Sequence, residues 1–321
     1  MKSSRRNFIK RASAVSAGVV VAPTLLAGEK KMHAAKSYPI CVFSKCLQFL
    51  DYPQLGEALA KIGFSAVELS VRNKGHVLPE NVNTDLPKAI KTLKQLEITV
   101  PMMVTGIINP EDPLTESVLG TASEQGIGHY RMGYLRYDRK KSVMENLDSH
   151  KKIFDKLEKL NRKFGIQGCY QNHAGAGVGG PVWDLYWLLK DFDPEYIGVQ
   201  YDIRHAIVEG AKSWSLGLDL LSPWIKTSAI KDFDWKKENG KAIIENVPLG
   251  AGIVDFDAYL VEAIKHEIIG PTTIHYEYDF GGAEHGRKDP SMGIAEISDY
   301  MKTDLVWLKN KFKMHDILKH F

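Results

Sequence analysis

The sequence predicts a single parallel (β/α)8 barrel domain from its length, its composition and its alternation of apolar runs with amphipathic segments. The 321 residues are 44% hydrophobic and 25% charged, which is typical of a globular protein with a full core. Eight strand-helix units in the last ~285 residues give about 36 residues per unit, as expected of a barrel with insertions. An open, doubly wound sheet is the alternative, but the turn after the first apolar run, Ser44-Lys45-Cys46-Leu47, lacks the usual glycines.

Eight apolar runs are the predicted barrel strands. They comprise residues 40–44, 66–70, 99–104, 130–134, 166–170, 197–202, 224–231 and 273–278. Between several of them, apolar residues recur every three or four positions, which is the spacing of one helix face. Helices are predicted in this way around residues 55–62, 86–96, 153–164 and 305–308. Because no linker or repeat divides the chain, residues 35–321 are predicted to form one domain.

Residues 1–34 are predicted to be an export signal. Residues 5–10 read RRNFIK, and an apolar stretch rich in small residues follows as far as Gly28, which is the order of a secretory signal. The paired arginines resemble the twin-arginine signal, which implies a bacterial protein that the twin-arginine translocon exports, already folded, to the periplasm. Cleavage is expected after Ala27 or Ala34. A membrane anchor is the alternative, but the stretch is short for a span and contains Pro23.

The charge of the chain is unevenly placed. The net charge is +3, but residues 1–34 hold seven Lys or Arg and one Glu, so the rest of the chain carries −3. A weakly acidic body without a basic stripe argues against nucleic acid as a partner. The three cysteines, Cys41, Cys46 and Cys169, are too few for a disulfide framework and are expected to be buried packing residues.

Polar and charged residues gather where the predicted strands end. In a (β/α)8 barrel the carboxyl ends of the strands meet at one rim, and active sites form there. Burying carboxylates, histidines and lysine together costs several kcal/mol unless these groups pair or bind a ligand. The sequence therefore predicts a functional site at this rim. The clusters are Glu68 with Arg72 and His76, residues 171–173, residues 202–205, residues 231–235 and residues 275–279.

These strand-end clusters resemble those of the sugar phosphate isomerase/epimerase family, the xylose isomerase-like TIM barrels. The resemblance covers about residues 37–312. It implies an enzyme that moves protons next to a sugar carbonyl, with a divalent cation held by Glu, Asp, His and Glu from the fifth to the eighth strand. The matching segments are residues 63–68, 170–173, 201–205, 231–232, 247–252 and 274–277.

The sequence departs from the family pattern at two positions. The glutamate of the fifth strand corresponds to Gln171 and the histidine of the seventh strand to Ala229, whereas Asp202 and Glu277 are retained. Because a glutamine cannot exchange protons, a mechanism with two carboxylate bases is not expected to apply unchanged. For the same reason, elimination or hydration is favoured more strongly than the name of the family alone would suggest.

Four residues are candidate ligands for a divalent Mn, Zn, Fe or Co ion: Asp202, His205, Gln171 and Glu277. Asp and His suit transition metals, and the carbonyl oxygen of a glutamine suits a hard cation. Structural roles stay open beside this one. Asp202 could pair with Arg204 or cap a helix, and Glu277 could pair with Lys231.

The candidate catalytic residues are Glu277, Lys231 and His173. A lysine at the rim can stabilise an enolate oxygen, and a glutamate or histidine can take a proton from carbon. The predicted reaction is proton abstraction next to the carbonyl of a free sugar or keto-glycoside, followed by epimerisation, isomerisation or elimination. The candidate substrate-binding residues are Arg72, His76, Asn172, Arg204 and Trp235.

Two other functions stay open on the sequence alone. One is a metal-dependent hydrolase like the endonuclease barrels, and the other is a non-catalytic barrel that binds sugar. The predicted partner of the proton-abstracting enzyme and of the sugar-binding barrel is a small carbohydrate. Homo-oligomerisation stays open.

Overall fold

The computed structural model describes residues 39–268 and 270–317, which belong to one compact unit. The predicted export signal, residues 1–34, lies outside the described residues. Within the described ranges, no helix combines the length and the apolar character needed to cross a membrane.

The strands confirm the predicted barrel and exclude the open sheet. They are β1 (Ile40–Phe43), β2 (Ala66–Ser70), β3 (Thr99–Val104), β4 (His129–Arg131), β5 (Gln167–Gln171), β6 (Ile197–Asp202), β7 (Ile225–Ile230), β8 (Asp232–Glu238), β9 (Lys241–Val247) and β10 (Thr272–Ile274). Strands β1 to β7 and β10 run parallel and follow one another around a closed barrel, in which β10 pairs with β1. Their carboxyl ends therefore meet at one rim, as the sequence predicts.

Helices surround the barrel, and consecutive helices pack beside one another, with the last helix against the first. They are α1 (Tyr52–Ile62), α2 (Val82–Gln95), α3 (Pro113–Glu124), α4 (Val143–Phe164), α5 (Val182–Leu189), α6 (Ile203–Gly210), α7 (Trp214–Leu221), α8 (Phe256–Lys265) and α9 (Ile294–Met314). The four helical patterns found in the sequence fall in α1, α2, α4 and α9.

Helix α4 shows how local sequence sets the helix bounds. At its start, the hydroxyl of Ser142 accepts from the backbone N–H of Glu145, and the carboxylate of Glu145 accepts from the backbone N–H of Ser142 at 2.7 Å. This capping box satisfies N–H groups that have no partner inside the helix. The helix ends at Gly165, whose φ of 62° is left-handed and costs glycine little. Its apolar face, which includes Phe154 and Leu157, is buried.

The last barrel strand is shorter than the sequence predicts. Strand β10 ends at Ile274, so Glu277 lies in the loop that follows and not on a strand. The direction of the Glu277 side chain is therefore not set by the alternation of side chains along a strand. The loop carries Glu277 above the rim, where long side chains from neighbouring strands reach it.

A two-stranded antiparallel hairpin, β8–β9, is absent from the sequence-based prediction. Its turn is Asn239-Gly240, with φ angles of 48° and 80°. Positive φ at both central residues is typical of the type I′ turn, and Asn-Gly is its preferred sequence. Because β8 begins directly after β7, the hairpin stands at the same rim as the polar clusters.

Asp232 anchors the base of this hairpin. Its side chain is buried, and its two carboxylate oxygens accept from the backbone N–H groups of Phe233, Gly250, Gly252 and Val254 at 2.8–3.2 Å. The carboxylate thus holds the segment after β9 against the start of β8. At Gly252 a Cβ atom would lie 2.3 Å from the carboxylate, so this close approach requires glycine.

We expect Asp232→Ala to lower the free energy of unfolding by about 3 kcal/mol, because four backbone donors lose a charged acceptor. Asp234, on the same hairpin but exposed, provides the control, and Asp234→Ala is expected to change stability by less than about 0.5 kcal/mol. Urea unfolding followed by circular dichroism measures both variants. Equal losses in the two would contradict the anchoring role of Asp232.

The cysteine prediction is confirmed. Cys41, Cys46 and Cys169 are all buried and carry free thiols. They pack within and beside the barrel strands, as their positions in the apolar runs suggest.

Candidate active site

Lys231 lies at the centre of the polar rim. It follows β7 directly, and its side chain is 4% exposed. Its Nζ atom is 3.1 Å from Oδ2 of Asp202, 3.1 Å from Oε1 of Glu277 and 2.9 Å from Nε2 of His205. Burial alone would lower the pKa of Lys231, but Asp202 and Glu277 outweigh burial and raise it. The ammonium is therefore charged at neutral pH and joins residues from three distant segments.

Asp202 caps a helix, which is one of the structural roles that the sequence left open for it. It is the last residue of β6, and its Oδ1 accepts from the backbone N–H of His205 at 3.0 Å, which caps α6. Its Oδ2 faces Lys231 and also accepts from Nε2 of Gln171 at 2.8 Å. Arg204 does not pair with Asp202.

Gln171, at the end of β5, is held by hydrogen bonds at both ends of its amide. Its Oε1 accepts from Nη1 of Arg131 at 3.0 Å and from the hydroxyl of Tyr134 at 2.5 Å. Its Nε2 donates to Asp202. Polar contacts therefore run around the rim from Arg131 through Gln171 and Asp202 to Lys231.

Two histidines pack against each other beside Lys231. The ring centres of His173 and His205 are 4.0 Å apart. Nδ1 of His173 lies 3.0 Å from the carbonyl of Ala174, so in the neutral ring Nδ1 carries the proton and Nε2 the lone pair. Burial and then Lys231 lower the pKa of His173. His173 is therefore a neutral imidazole with a basic nitrogen at the rim.

His205 is buried between two cations. Its Nδ1 lies 2.9 Å from Nη1 of Arg204, and its Nε2 faces Lys231. Burial, followed by Lys231, lowers its pKa well below the usual value. A neutral imidazole offers one lone pair, so the ring accepts from one of these cations at a time.

Glu277 is more accessible than the other two rim carboxylates, Asp202 and Glu68. Its side chain is 26% exposed, against 0% for both Asp202 and Glu68. Burial would raise its pKa, but Lys231 and Lys45 outweigh burial and hold the pKa below its usual range. The ion pair with Lys231 that the sequence left open is formed. Glu277 is thus an ionised carboxylate within reach of a ligand.

A buried polar layer crosses the barrel interior. Oε1 of Glu68 on β2 accepts from Nε2 of Gln200 on the opposite strand β6 at 2.9 Å. Oε2 of Glu68 lies 2.9 Å from Nε2 of His275, directly after β10. These bonds connect strands on different sides of the barrel, which fixes the shape of the floor beneath the rim.

Two of the predicted substrate-binding residues have structural partners. Both ring nitrogens of His76 are engaged, Nδ1 with two serine hydroxyls at 3.1 and 3.2 Å and Nε2 with the carbonyl of Leu47 at 3.1 Å. The amide of Asn172 bonds the backbone N–H and carbonyl of Asp202 at 2.7 and 2.9 Å. Both side chains therefore hold loops in place.

The other three predicted substrate-binding residues border the rim. Arg204 contacts His205 and donates through Nη2 to Oδ1 of Asn246 at 2.6 Å. The guanidinium of Arg72 lies 5.2 Å from the ring centre of Phe43. Trp235 projects from hairpin strand β8 and is 47% exposed.

Several rim residues were not predicted from the sequence: Lys45, Arg131, Tyr134 and Asn246. One signal was available for Arg131, because it is a charged residue inside an apolar run, where burial demands a partner. Lys45 directly follows the first apolar run, so it too is a charged residue beside a buried segment. Asn246 comes from the hairpin, which the Asn239-Gly240 pair would have predicted.

The candidate metal ligands come together, but their contacts do not fit a divalent cation. Gln171 directs its amide hydrogens at Asp202 and its carbonyl oxygen at two donors, while both nitrogens of His205 face cations. Lys231 already lies between Asp202 and Glu277, and a second positive charge there would repel its ammonium. In the part of the chain that the structure describes, no group of three or more His, Cys, Asp or Glu is arranged to hold a metal ion.

The comparisons with known proteins agree with this architecture. The family model of the xylose isomerase-like TIM barrel matches residues 57–303. A search of curated proteins finds no match. The fold resembles many solved structures at low sequence identity, so this likeness concerns the fold alone.

Three solved structures illustrate the likeness. A D-tagatose 3-epimerase-like protein is 16% identical and covers 87% of this chain and 98% of its own, with a TM-score of 0.65. The 3-keto-D-glucoside 4-epimerase from E. coli is 12% identical over 85% of this chain and 100% of its own, with a TM-score of 0.61. A xylose isomerase-like TIM barrel protein from Mycobacterium smegmatis, solved in complex with magnesium, is 13% identical over 85% of this chain and 100% of its own, with a TM-score of 0.60.

Proposed function

Because the chain belongs to the xylose isomerase-like TIM barrel family, we propose that it is a carbohydrate-active enzyme that removes a proton from the carbon next to a carbonyl. The observation that carries the proposal is the position of Lys231, a buried ammonium between Asp202 and Glu277 at the barrel rim. The names of the structural neighbours, which include sugar epimerases, support a sugar or a keto-glycoside as the substrate.

Lys231 supplies the positive charge in this mechanism. When a proton leaves carbon, the electron pair moves to the carbonyl oxygen and forms an enediolate. A fixed ammonium stabilises that oxyanion, and its stabilisation is larger in a buried site than in water. Asp202, which accepts a hydrogen bond from Gln171, holds Lys231 in place.

Glu277 is the proposed base and His173 the second proton-transfer group. Glu277 is ionised and partly exposed, so it can take the proton from carbon. Return of this proton to the neighbouring carbon gives an isomer. His173 is neutral at rest, so for the other two outcomes its Nε2 first takes a proton from solvent, and Glu277 releases its proton to solvent. Delivery of the proton from His173 to the opposite face of the carbon gives an epimer, and its delivery to a departing oxygen gives elimination.

A panel of ketoses, keto-glycosides and aldoses, followed by NMR of the products, tests this function. The proposal predicts an epimer, an isomer or an unsaturated product from at least one of them. A sugar that binds without any conversion would favour the non-catalytic barrel. Release of the aglycone or phosphate with no change at the carbon next to the carbonyl would favour the hydrolase.

Chelation distinguishes this mechanism from a metal-assisted one. We expect treatment with EDTA, followed by its removal, to change kcat by less than about twofold, because Lys231 provides the stabilising charge. Elemental analysis of the treated protein confirms that metal has been removed. A loss of activity that Mn, Mg, Zn or Co restores would contradict the role given to Lys231.

The cellular location is part of the proposal and rests on residues 1–34. Their resemblance to a twin-arginine signal supports export to the periplasm, where the twin-arginine translocon would be a transient partner. Fractionation of cells that express the full chain, with and without Arg5 and Arg6 replaced by lysine, tests this part.

A further inference from the structure

Three cations surround one aromatic ring on the side of the rim formed by β1, β2 and β4. Nζ of Lys45 and the guanidinium carbons of Arg72 and Arg131 lie 5.8, 5.2 and 5.5 Å from the ring centre of Phe43. The three side chains come from different segments, so the fold and not the local sequence brings them together. Like charges at this spacing repel one another unless an anion joins them.

The carboxylates near this cluster do not form ion pairs with its arginines. Lys45 lies 3.9 Å from Oε1 of Glu277, and the charge of the buried Glu68 acts on both arginines from a longer distance. No carboxylate lies within ion-pair distance of Arg72 or Arg131 in the described part of the chain. Arg131 is 6% exposed, and its buried Nε has no hydrogen-bond partner. A buried guanidinium N–H without an acceptor lowers the stability of the fold. An acceptor atom of a bound ligand could supply the missing hydrogen bond.

Arg72 is accessible to a ligand. It is half-buried and lines a cavity of about 350 Å³ together with Gly106, Ile107, Asn109 and Leu114, although Lys45 and Arg131 do not line that cavity. Burial and then the charge of Arg131 lower the pKa of Arg72, while Tyr134 and Glu68 act in the opposite direction. Lys45 shows the same direction, mainly through burial.

We propose that Lys45, Arg72 and Arg131 bind an anionic oxygen group of the substrate, a carboxylate, phosphate or sulfate, which makes the substrate a charged rather than a neutral sugar. Arginine suits this role because its planar donors match the oxygens of such groups in pairs. This inference rests on the proposed function for the identity of the ligand as a sugar. The anion would lie on the side of the rim formed by β1, β2 and β4 and would fix the orientation of the sugar relative to Lys231.

Inorganic phosphate tests the anion site without any assumption about the sugar. The melting temperature is measured against phosphate concentration at constant ionic strength, which is held with sodium chloride. We expect saturable stabilisation of the wild type that is weakened about tenfold in Arg72→Gln and only partly restored in Arg72→Lys, which keeps the charge but loses the paired donors. Equal stabilisation of the wild type and Arg72→Gln would overturn the site.

The control is Arg162→Gln, which removes one positive charge at the end of α4. The chain enters β5 there, so Arg162 lies at the opposite end of the barrel from the rim. This variant is expected to respond to phosphate as the wild type does. Glu277→Gln is expected to bind phosphate at least as tightly as the wild type, because it removes a carboxylate next to Lys45.

A matched pair of sugars tests whether the anion belongs to the sugar. Methyl β-D-glucuronide is expected to raise the melting temperature more than methyl β-D-glucoside, with an affinity about tenfold higher that Arg72→Gln abolishes. Equal effects of the two, zero included, would contradict the charged substrate. Because these assays measure binding, their outcome is independent of whether the protein transfers protons, which the product analysis tests separately.

Discussion

Replacement of Lys231 by methionine is expected to lower kcat about a thousandfold, because the enediolate loses the buried ammonium that stabilises it. KM is expected to change much less, since the ammonium acts mainly on charge that develops during the reaction. Steady-state kinetics on the substrate identified by the product panel measure both constants. A variant with more than about a tenth of the wild-type kcat would remove Lys231 from the mechanism.

The variant also leaves Asp202 buried without its cation, which costs about 3 kcal/mol of stability. Circular dichroism and a melting curve therefore accompany the kinetics, and activity is measured well below the melting temperature. Lys226→Met is the matched control, because Lys226 is on the same strand, β7, but near its other end. It is expected to retain wild-type kcat.

The second large effect is expected for Glu277→Gln. The amide keeps the shape of the side chain and its acceptor oxygen for Lys231, but it cannot take a proton. We expect kcat to fall about a thousandfold, within the usual range for loss of a general base. Glu296→Gln, at the exposed start of α9, controls for the loss of one carboxylate. A Glu277→Gln enzyme with wild-type kcat would assign the base to another residue, and His173 would be the first to examine.

The fold was largely predictable from the sequence because parallel barrel strands are buried on both faces. Such strands are continuous apolar runs, and all eight predicted runs overlap barrel strands. The runs at Ala66–Ser70, Thr99–Val104 and Ile197–Asp202 match the structure residue for residue. The fourth and eighth runs, residues 130–134 and 273–278, extend beyond the ends of β4 and β10, since an apolar run does not show where backbone pairing stops.

The site was only partly predictable. Asp202, His205, Lys231 and Glu277 do meet at one rim, because chain topology alone places strand ends there. Which partner each side chain takes was not predictable, because it depends on the reach of long side chains across the barrel. The Arg131 side chain, for example, bonds Gln171 on the neighbouring strand β5 and also lies beside Phe43 from β1.

The two departures from the family pattern are consistent with the position of Lys231. The sequence shows a missing glutamate at Gln171 and a missing histidine at Ala229, and each loss alone weakens a metal site. The structure places the ammonium of Lys231 between the two retained carboxylates. A lysine is a compact point charge, so its ammonium can pair with both carboxylates and offsets one of their two negative charges.

Exchange with solvent in D2O tests whether the enzyme transfers a proton at the carbon next to a carbonyl. Wild-type enzyme and substrate are followed by proton NMR, with Glu277→Gln and Lys231→Met in parallel. We expect deuterium to enter at that carbon in the wild type and both variants to suppress its entry. Turnover of the substrate with no deuterium at that carbon would contradict proton transfer there.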